Sequence, residues 1–212
     1  MKVSAVVPAF NEAPRIGDVI RPLISSGLVE QVIVVDDGSE DGTANVAREC
    51  GAEVLVLEKN EGKGGAVLSG MAKVRGEVLL LMDADLVGLK DYHIKALIDP
   101  IVNDEADMTV GIFEDGRFFT DLAQNMSPHL SGQRAMKISS LKDLDQLDAS
   151  EFGLEVALTK YAKDHDFRVK KVPLENLSQV MKEEKIGTMK GFAYRMKMYY
   201  DILKTLVKNM SM

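Results

Sequence analysis

Short apolar segments and helical segments alternate through the first half of the chain, and this alternation restricts the folds open to it. The apolar runs that read as strands are Val3–Val7, Gln31–Val35, Glu53–Leu57 and Val78–Met82. Apolar residues at helical spacing lie between them, in Ala13–Ser26, Thr43–Cys50 and Gly64–Arg75. Strands joined by such helices form right-handed crossovers, and continuous apolar strands are buried on both faces. The pattern predicts an α/β fold with a mostly parallel sheet flanked by helices.

Polar residues follow three of these strands at the point where each strand ends. They form the clusters Pro8–Glu12, Asp36–Ser39 and Asp83–Asp85. Ligands of parallel sheets bind beyond the carboxyl ends of the strands, at a point where the strand order reverses. We therefore expect the three clusters to converge on one crevice.

Two carboxylates, Asp83 and Asp85, follow the apolar run that ends at Met82. In an extended segment their i, i+2 spacing places both on one face, where like charges repel unless a cation lies between them. Mg²⁺ and Mn²⁺ prefer such oxygen ligands and commonly hold substrate phosphates as well. The spacing predicts a metal–diphosphate site, with a solvated turn at the strand end as the alternative.

Further candidate residues lie in the turns around these carboxylates. Gly-rich residues 59–66 open a helix whose N-terminal N–H groups favour anions, and Lys63 there would neutralise a phosphate. Phe10 would suit a wall for a nucleobase, and Asp37 would accept an N–H from a base edge. Asn11 is also a good cap for the following helix, which is an alternative to a binding role. No Walker A loop and no Gly-x-Gly-x-x-Gly after the first strand is present.

The overall composition excludes several classes of protein. A net charge of −7 and a pI near 5.1 argue against nonspecific electrostatic binding of nucleic acid. The single Cys50 allows no intramolecular disulfide, so a reducing cytoplasm fits best. No run of apolar residues is long enough for a transmembrane span, and the first apolar stretch is too short for a signal peptide.

The second half is less regular. Helices are expected at Tyr92–Val102 and Ser150–Lys163, and a late strand at Phe167–Pro173. A further strand at Met108–Phe113 is expected to flank the sheet, and residues 117–133 read as a polar, loop-rich stretch.

Taken together, the motifs of the first half resemble the nucleotide-sugar half of family 2-type glycosyltransferases with the GT-A fold. The matching stretches are residues 6–12, 34–39, 60–66 and 82–85. The resemblance extends most closely to enzymes that make polyprenyl-phosphate sugars and to glucosyl-3-phosphoglycerate synthases. It implies that Lys63 approaches the diphosphate and that Asp83 and Asp85 frame Mg²⁺ or Mn²⁺, with Asp85 as the direct ligand. The nucleoside would be bordered by Pro8, Phe10, Glu12 and Asp37, and Asn11 is a further substrate-binding residue.

The second half matches the same enzymes less fully. Residues 130–135 resemble their acceptor-side loop, in which Gly132 lets the backbone approach the sugar and Arg134 holds an anionic acceptor. The alternative is a loop with a surface arginine. Glu155 resembles a glutamate that faces the reacting sugar, the alternative being a side chain that points to solvent. These relatives also use a late His as a third metal ligand, and residues 177–182 contain no His.

The resemblance implies a single GT-A domain over residues 1–212. Residues 1–90 would bind the nucleotide sugar, 91–187 would form the acceptor half, and 188–212 would form a basic amphipathic helix. That helix would lie on an anionic membrane surface, or else cover the domain or form a homodimer.

The predicted function is metal-dependent transfer of a sugar from a UDP- or GDP-sugar to an unidentified acceptor that can bear a phosphate. Two alternatives stay open. A non-catalytic regulatory protein would keep the nucleotide-sugar half and lose the acceptor side. A nucleotidyltransferase would use a related sheet, but it usually needs a Gly-rich basic loop after the first strand, where this chain has Pro8–Glu12.

Overall fold

The computed structural model describes residues 1–113, 131–141 and 153–179. Its helices are α1 (Ile16–Ser25), α2 (Thr43–Glu49), α3 (Gly62–Met71), α4 (Asp91–Val102) and α5 (Leu154–Asp164). The strands of the main sheet are β1 (Val3–Ala9), β2 (Gln31–Asp36), β3 (Glu53–Val56), β4 (Val78–Leu81), β6 (Met108–Phe113), β7 (Arg134–Lys137) and β8 (Val169–Leu174). A second, small sheet pairs β5 (Leu86–Val87) with β9 (Ser178–Gln179).

The main sheet has the order β3-β2-β1-β4-β7-β6-β8. Strands β3, β2, β1 and β4 pair in parallel, β6 and β8 pair in parallel, and β7 runs antiparallel to both β4 and β6. The predicted α/β class with a mostly parallel sheet is confirmed. The predicted elements of the first half agree with the observed ones to within about one helical turn.

The later strands correct two expectations. Met108–Phe113 was expected to flank the sheet, but β6 lies inside it, between β7 and β8. Residues 130–135 were expected to form an acceptor-side loop, yet the last two of them, Arg134 and Ala135, begin β7, whose first residue pairs with Leu81 at the end of β4. The pairing with two buried neighbours outweighs the weak strand pattern of this short segment.

Apolar side chains fill both faces of the sheet. Along β1, Ala5 and Val7 point to the face covered by α1 and α4, whereas Val6 points to the face covered by α3 and α5. This alternation follows from the period of two in a strand. Because helices cover both faces of the sheet, polar groups can gather at the edge formed by the carboxyl ends of its parallel strands, the carboxyl edge.

Residues 188–212, predicted to form an amphipathic helix, lie outside the described residues, as does Leu130 of the predicted acceptor loop. Among the helices that the structure describes, none is long and apolar enough to cross a membrane.

Candidate active site

The turns after β1 and β2 are joined to each other by hydrogen bonds. The backbone N–H of Asn11 donates to Ser39 Oγ at 2.9 Å, and the N–H of Asp37 donates to the Ala9 carbonyl at 2.8 Å. In return, Asn11 Oδ1 accepts the N–H of Glu40 at 2.9 Å. The first two predicted clusters therefore meet at the carboxyl edge.

Asn11 does not cap the helix that follows it, so that alternative is wrong. Helix α1 begins after Arg15, and no side chain caps it through a hydrogen bond. Asn11 instead has a φ of 55°, in the left-handed region that few residues other than glycine adopt. The side-chain amide of Asn11 links the turns after β1 and β2. Residues with strained backbone conformations that are held by surrounding contacts are common at functional sites.

Asp37 connects the turn after β2 to the Gly-rich segment. Its Oδ1 accepts the N–H of Glu61, the residue that precedes α3, at 2.7 Å. Its own carbonyl accepts Asn60 Nδ2 at 3.2 Å. Burial of the carboxyl raises the pKa of Asp37, and the Glu61 N–H counters part of that shift. Asp37 thus fixes the start of α3, and its predicted contact with a nucleobase stays a prediction.

Lys63, in the first turn of α3, bridges two carboxylates. Its Nζ lies 2.5 Å from Asp83 Oδ1 and 2.6 Å from Glu155 Oε1. Burial opposes the charged ammonium, but the two carboxylates outweigh it and raise the pKa of Lys63 well above its ordinary value. The third predicted cluster is therefore joined to the first two through α3.

The second oxygen of Asp83 accepts two amide donors. Gln133 Nε2 lies 2.8 Å and Gln179 Nε2 lies 2.9 Å from Asp83 Oδ2. Gln179 Nε2 also lies 2.8 Å from Asp85 Oδ1. Burial alone would raise the pKa of Asp83, but Lys63 and the amide donors outweigh it and lower the pKa.

Gly132 lets the loop before β7 approach these groups. A Cβ atom at this position would lie 2.6 Å from Asp83 Oδ1, 2.7 Å from Asp83 Oδ2 and 2.6 Å from Lys63 Nζ. Because Cβ contacts this short do not occur, a larger residue here would displace Asp83, Lys63 or the loop itself. The backbone at Gly132 thus lies close to Asp83 and Lys63, and its predicted approach to a sugar stays a prediction.

The surface positions offered as alternatives for Glu155 and Arg134 are wrong. Glu155 is 7% exposed and its carboxylate contacts Lys63. Arg134 has no exposed surface and donates to the Ser131 carbonyl at 2.9 Å and to Thr159 Oγ1 at 3.0 Å. Burial lowers the pKa of Arg134 to about 10, and the Glu155 carboxylate opposes that shift.

Arg134 is thus a fully buried part of the pocket wall. The pocket is lined by Pro8, Lys63, Asp83, Gly132, Arg134 and Glu155, among others. Contact between Arg134 and an anionic acceptor stays a prediction, and it would require the groups around the guanidinium to move.

The residues predicted to border a nucleoside differ in exposure and in contacts. Phe10 is an aromatic side chain with 47% of its surface exposed. Glu12 is buried, its N–H donates to Thr43 Oγ1 at 2.8 Å, and its carboxylate pairs with Arg15. Pro8 contributes to the pocket wall next to Lys63.

Sequence reasoning missed Gln133 and Gln179. Gln133 lies within residues 130–135 and Gln179 within residues 177–182, but neither was given a role there. The fold brings them to Asp83 from 50 and 96 residues away. The signal that was available is the missing His in residues 177–182, the stretch that contains Gln179.

Gln179 contacts one carboxylate oxygen of Asp83 and one of Asp85. Carboxylate oxygens are hard ligands, so this pair suits Mg²⁺ or Mn²⁺ better than a soft metal. Within residues 1–113, 131–141 and 153–179, no three His, Cys, Asp or Glu side chains form a group that could hold a metal. A third protein ligand from the described residues would have to be of another type.

The sequence profile of glycosyl transferase family 2 matches residues 4–152. The chain belongs to glycosyl transferase family 2. The recognised resemblance is thereby confirmed, and the match extends from β1 through both the Asp83–Asp85 pair and the loop before β7.

Two curated relatives match part of this glycosyltransferase family 2 chain. It is 42% identical over 101 residues to a dolichyl-phosphate beta-glucosyltransferase of Drosophila melanogaster, covering 40% of the chain and 31% of that protein. It is 34% identical over 110 residues to a glucosyl-3-phosphoglycerate synthase of Mycolicibacterium paratuberculosis, covering 47% of the chain and 33% of that protein. The aligned part is therefore about a third of the length of these relatives.

Solved structures of the family share the fold. A glucosyl-3-phosphoglycerate synthase from Mycobacterium tuberculosis in complex with phosphoglyceric acid superposes with a TM-score of 0.71 at 25% identity, over 84% of this chain and 72% of that one. The same enzyme in complex with Mn²⁺, UDP and glucosyl-3-phosphoglycerate gives a TM-score of 0.70 at 24% identity, over the same shares of the two chains. The GT-A-like architecture is thus confirmed.

Proposed function

We propose that this family 2 protein is a metal-dependent glycosyltransferase that moves a hexose from a UDP-sugar to a phosphate-bearing acceptor. The observation that carries the proposal is the meeting of Lys63, Asp83 and Asp85 with the turns after β1 and β2 at one edge of the sheet. Cationic and metal-binding groups beside an aromatic side chain form a surface suited to a nucleoside diphosphate. The relatives named for glucosyl transfer support the choice of sugar donor.

On the donor side, Phe10 and Pro8 would flank the nucleoside, with Asn11, Glu12 and Asp37 holding the two turns in place. Asp85 and Asp83 would hold Mg²⁺ or Mn²⁺, which supplies charge neutralisation for the diphosphate as it leaves. Lys63 would turn its ammonium from the Asp83–Glu155 pair toward the same diphosphate. Its position next to Asp83 supports this assignment.

On the acceptor side, Glu155 would face the reacting sugar and Gly132 would allow the sugar to approach the backbone. The position of Glu155 in the pocket wall, with its carboxylate against Lys63, supports this role. Arg134, which lines the same pocket, would hold the acceptor phosphate. A phosphate is already an anionic nucleophile at neutral pH, so a phosphate acceptor would need no separate general base.

We infer further that residues 1–212 act as one domain in a reducing cytoplasm. If the acceptor phosphate belongs to a lipid, residues 188–212 would provide a basic surface for the membrane. Association of two copies through the same segment is the competing assignment. Sedimentation of the chain with anionic vesicles, compared with its mass by light scattering, separates these two outcomes.

Release of UDP from UDP-glucose tests the proposed function. The purified chain is assayed with Mn²⁺ and with 3-phosphoglycerate or a short polyprenyl phosphate as the acceptor. We expect release that stops on chelation by EDTA and falls at least about 100-fold in Asp85→Asn. Asp18→Asn, an exposed residue of α1, is the matched control and should keep full activity.

The alternatives predict different results. Binding of UDP-glucose and Mn²⁺ without hydrolysis or transfer would indicate the non-catalytic regulatory protein. Release of pyrophosphate from UTP and a sugar phosphate would indicate the nucleotidyltransferase. Undiminished transfer in Asp85→Asn would contradict the proposed metal site.

A further inference from the structure

Gln179 is held beside Asp85 by a small sheet of its own. Strand β9 pairs antiparallel with β5, and this register places Gln179 opposite Leu86, the residue directly after Asp85. The two strands have only two residues each, and they join residues more than 90 positions apart in the chain. The pairing therefore fixes Gln179 next to the carboxylate pair and adds little else to the fold.

The distances from the Gln179 amide to the two carboxylates match the distance between adjacent ligands in an octahedral metal site. The terminal atom of its amide lies 2.9 Å from Asp83 Oδ2 and 2.8 Å from Asp85 Oδ1. In an octahedral Mg²⁺ site with metal–oxygen distances near 2.1 Å, adjacent ligand oxygens lie roughly 3.0 Å apart. The amide end and the two carboxylate oxygens can therefore serve as neighbouring ligands with little movement.

The amide of Gln179 can present either of its two ends. Nitrogen and oxygen of a glutamine amide have nearly the same shape, and their assignment follows from the surrounding donors and acceptors. Without a cation, the two carboxylates favour the Nε2 end. With a divalent cation between the groups, the Oε1 end is favoured, because a rotation of the amide replaces a donor by an oxygen ligand.

Gln133 provides the contrast. It also donates to Asp83 Oδ2, but its Oε1 accepts the hydroxyl of Ser131 at 3.1 Å and its side chain is fully buried. That bond fixes the orientation of the Gln133 amide. In the part of the chain that the structure describes, no such bond to Oε1 of Gln179 is formed, and the Gln179 amide is held through its Nε2 end by the two carboxylates.

We propose that Gln179 is the third protein ligand of the cation, through Oε1. This inference rests on the proposed function, because it assumes that Asp83 and Asp85 hold a divalent metal. A neutral oxygen ligand completes a set of hard donors, so the site should favour Mg²⁺ and Mn²⁺ over softer metals.

Mn²⁺ binding tests the proposal without reference to catalysis. The whole chain is titrated with Mn²⁺ in the presence of UDP, and free Mn²⁺ is followed by electron paramagnetic resonance. We expect Gln179→Ala to weaken Mn²⁺ binding by about 10-fold to 100-fold. Ser178→Ala, the exposed neighbour on β9, is the matched control and should bind like the wild type.

A second variant distinguishes a ligand from a structural contact. Gln179→His should bring an imidazole nitrogen to the metal, producing nitrogen coupling in the electron spin echo of bound Mn²⁺ and a preference for Co²⁺ or Ni²⁺ over Mg²⁺. For Gln179→Ala, melting temperatures measured with and without Mn²⁺ complete the test. A ligand role predicts a smaller Mn²⁺-induced rise in melting temperature than in the wild type.

Two results would overturn the inference in different ways. If Gln179→Ala binds Mn²⁺ like the wild type while Asp85→Asn does not, the metal site stands and Gln179 is not a ligand. If the wild-type chain with UDP binds no Mn²⁺, the proposed function and this inference both fail.

Discussion

The ammonium of Lys63 lies 2.6 Å from the carboxylate of Glu155, although 92 residues separate the two in the chain. One residue is in the first turn of α3 and the other in the first turn of α5. The contact links the half of the chain assigned to the donor with the half assigned to the acceptor. Asp83 contacts the same ammonium, so Lys63 pairs with one carboxylate from each half.

Lys63→Met should separate two effects of this ammonium. Loss of the cation leaves Asp83 and Glu155 close together without a counter-charge, which should lower the free energy of unfolding. Because Lys63 keeps 29% of its side chain exposed, we expect about 1–2 kcal/mol rather than the larger cost of a fully buried pair. Urea denaturation measures this change.

The same variant should bind Mn²⁺ alone more tightly than the wild type, because Lys63 no longer competes for Asp83. It should bind UDP with Mn²⁺ more weakly, because the diphosphate loses a cation. Lys95→Met, which breaks an exposed pair on α4, is the control and should change neither. An unchanged affinity for both ligands in Lys63→Met would contradict the role given to Lys63.

Gly132→Ala should disturb the site through one added methyl group. Its Cβ would overlap Asp83 and Lys63, so either their contact or the loop before β7 must shift. We expect a loss of stability of about 1–3 kcal/mol and at least 10-fold weaker binding of UDP with Mn²⁺, measured by calorimetry. Gly17→Ala is the control, because there the added Cβ meets only the movable guanidinium of Arg21. Wild-type binding by Gly132→Ala would show that the close approach is not needed.

Gly70→Ala tests the packing of α3 on the sheet. A Cβ at position 70 would lie 2.6 Å from Val6 Cγ1 and 2.8 Å from Val35 Cγ2, so the helix must move away from β1 and β2. We expect the urea midpoint to fall by an amount equivalent to about 1–3 kcal/mol. Val6→Ala in the same chain should recover part of the loss, since it removes the nearest clash. Strictly additive losses in the double variant would argue against the contact.

Asp107→Asn tests an ion pair far from the site. Arg168 donates to both carboxylate oxygens of Asp107 at 2.9 Å, and these bonds lower the pKa of Asp107 to about 2 from an ordinary value of 3.8. The ionised carboxylate therefore stabilises the folded state above about pH 4, and this contribution is lost as the pH falls toward 2. The variant should be less stable at pH 7, with a difference from the wild type that shrinks between pH 4 and pH 2. A difference of constant size across this range, in urea unfolding curves, would exclude the pair as its origin.

The fold of the first half was predictable because its strands are continuous apolar runs. Strand β7 was not, because it offers only Ala135 and Met136 between Arg134 and Lys137. It is a strand because β4 and β6 pair with its two edges, and a pattern within four residues cannot show that. The two-residue strands β5 and β9 are beyond sequence reasoning for the same reason.

The candidate site was predictable where its residues follow strands or open a helix, as Asp37, Lys63 and Asp83 do. The helix-cap interpretation of Asn11 considered only the residues next to it, whereas its amide contacts Glu40 in another turn. Gln179 carries no spacing signal, and only the pairing of β5 with β9 brings it to Asp85. Local chemistry was therefore visible in the sequence, and contacts across the sheet were not.

The reversed direction of β7 has a consequence for how such a protein can diversify. Strand β7 runs antiparallel to its neighbours, so the residues just before it, rather than those just after it, lie beside Asp83. Insertions or exchanges within residues 131–133 would reshape the side of the cleft where the acceptor is expected. The turns at Asn11 and Asp37 hold each other through contacts of their own, so a new acceptor preference could arise there while donor recognition is inherited unchanged.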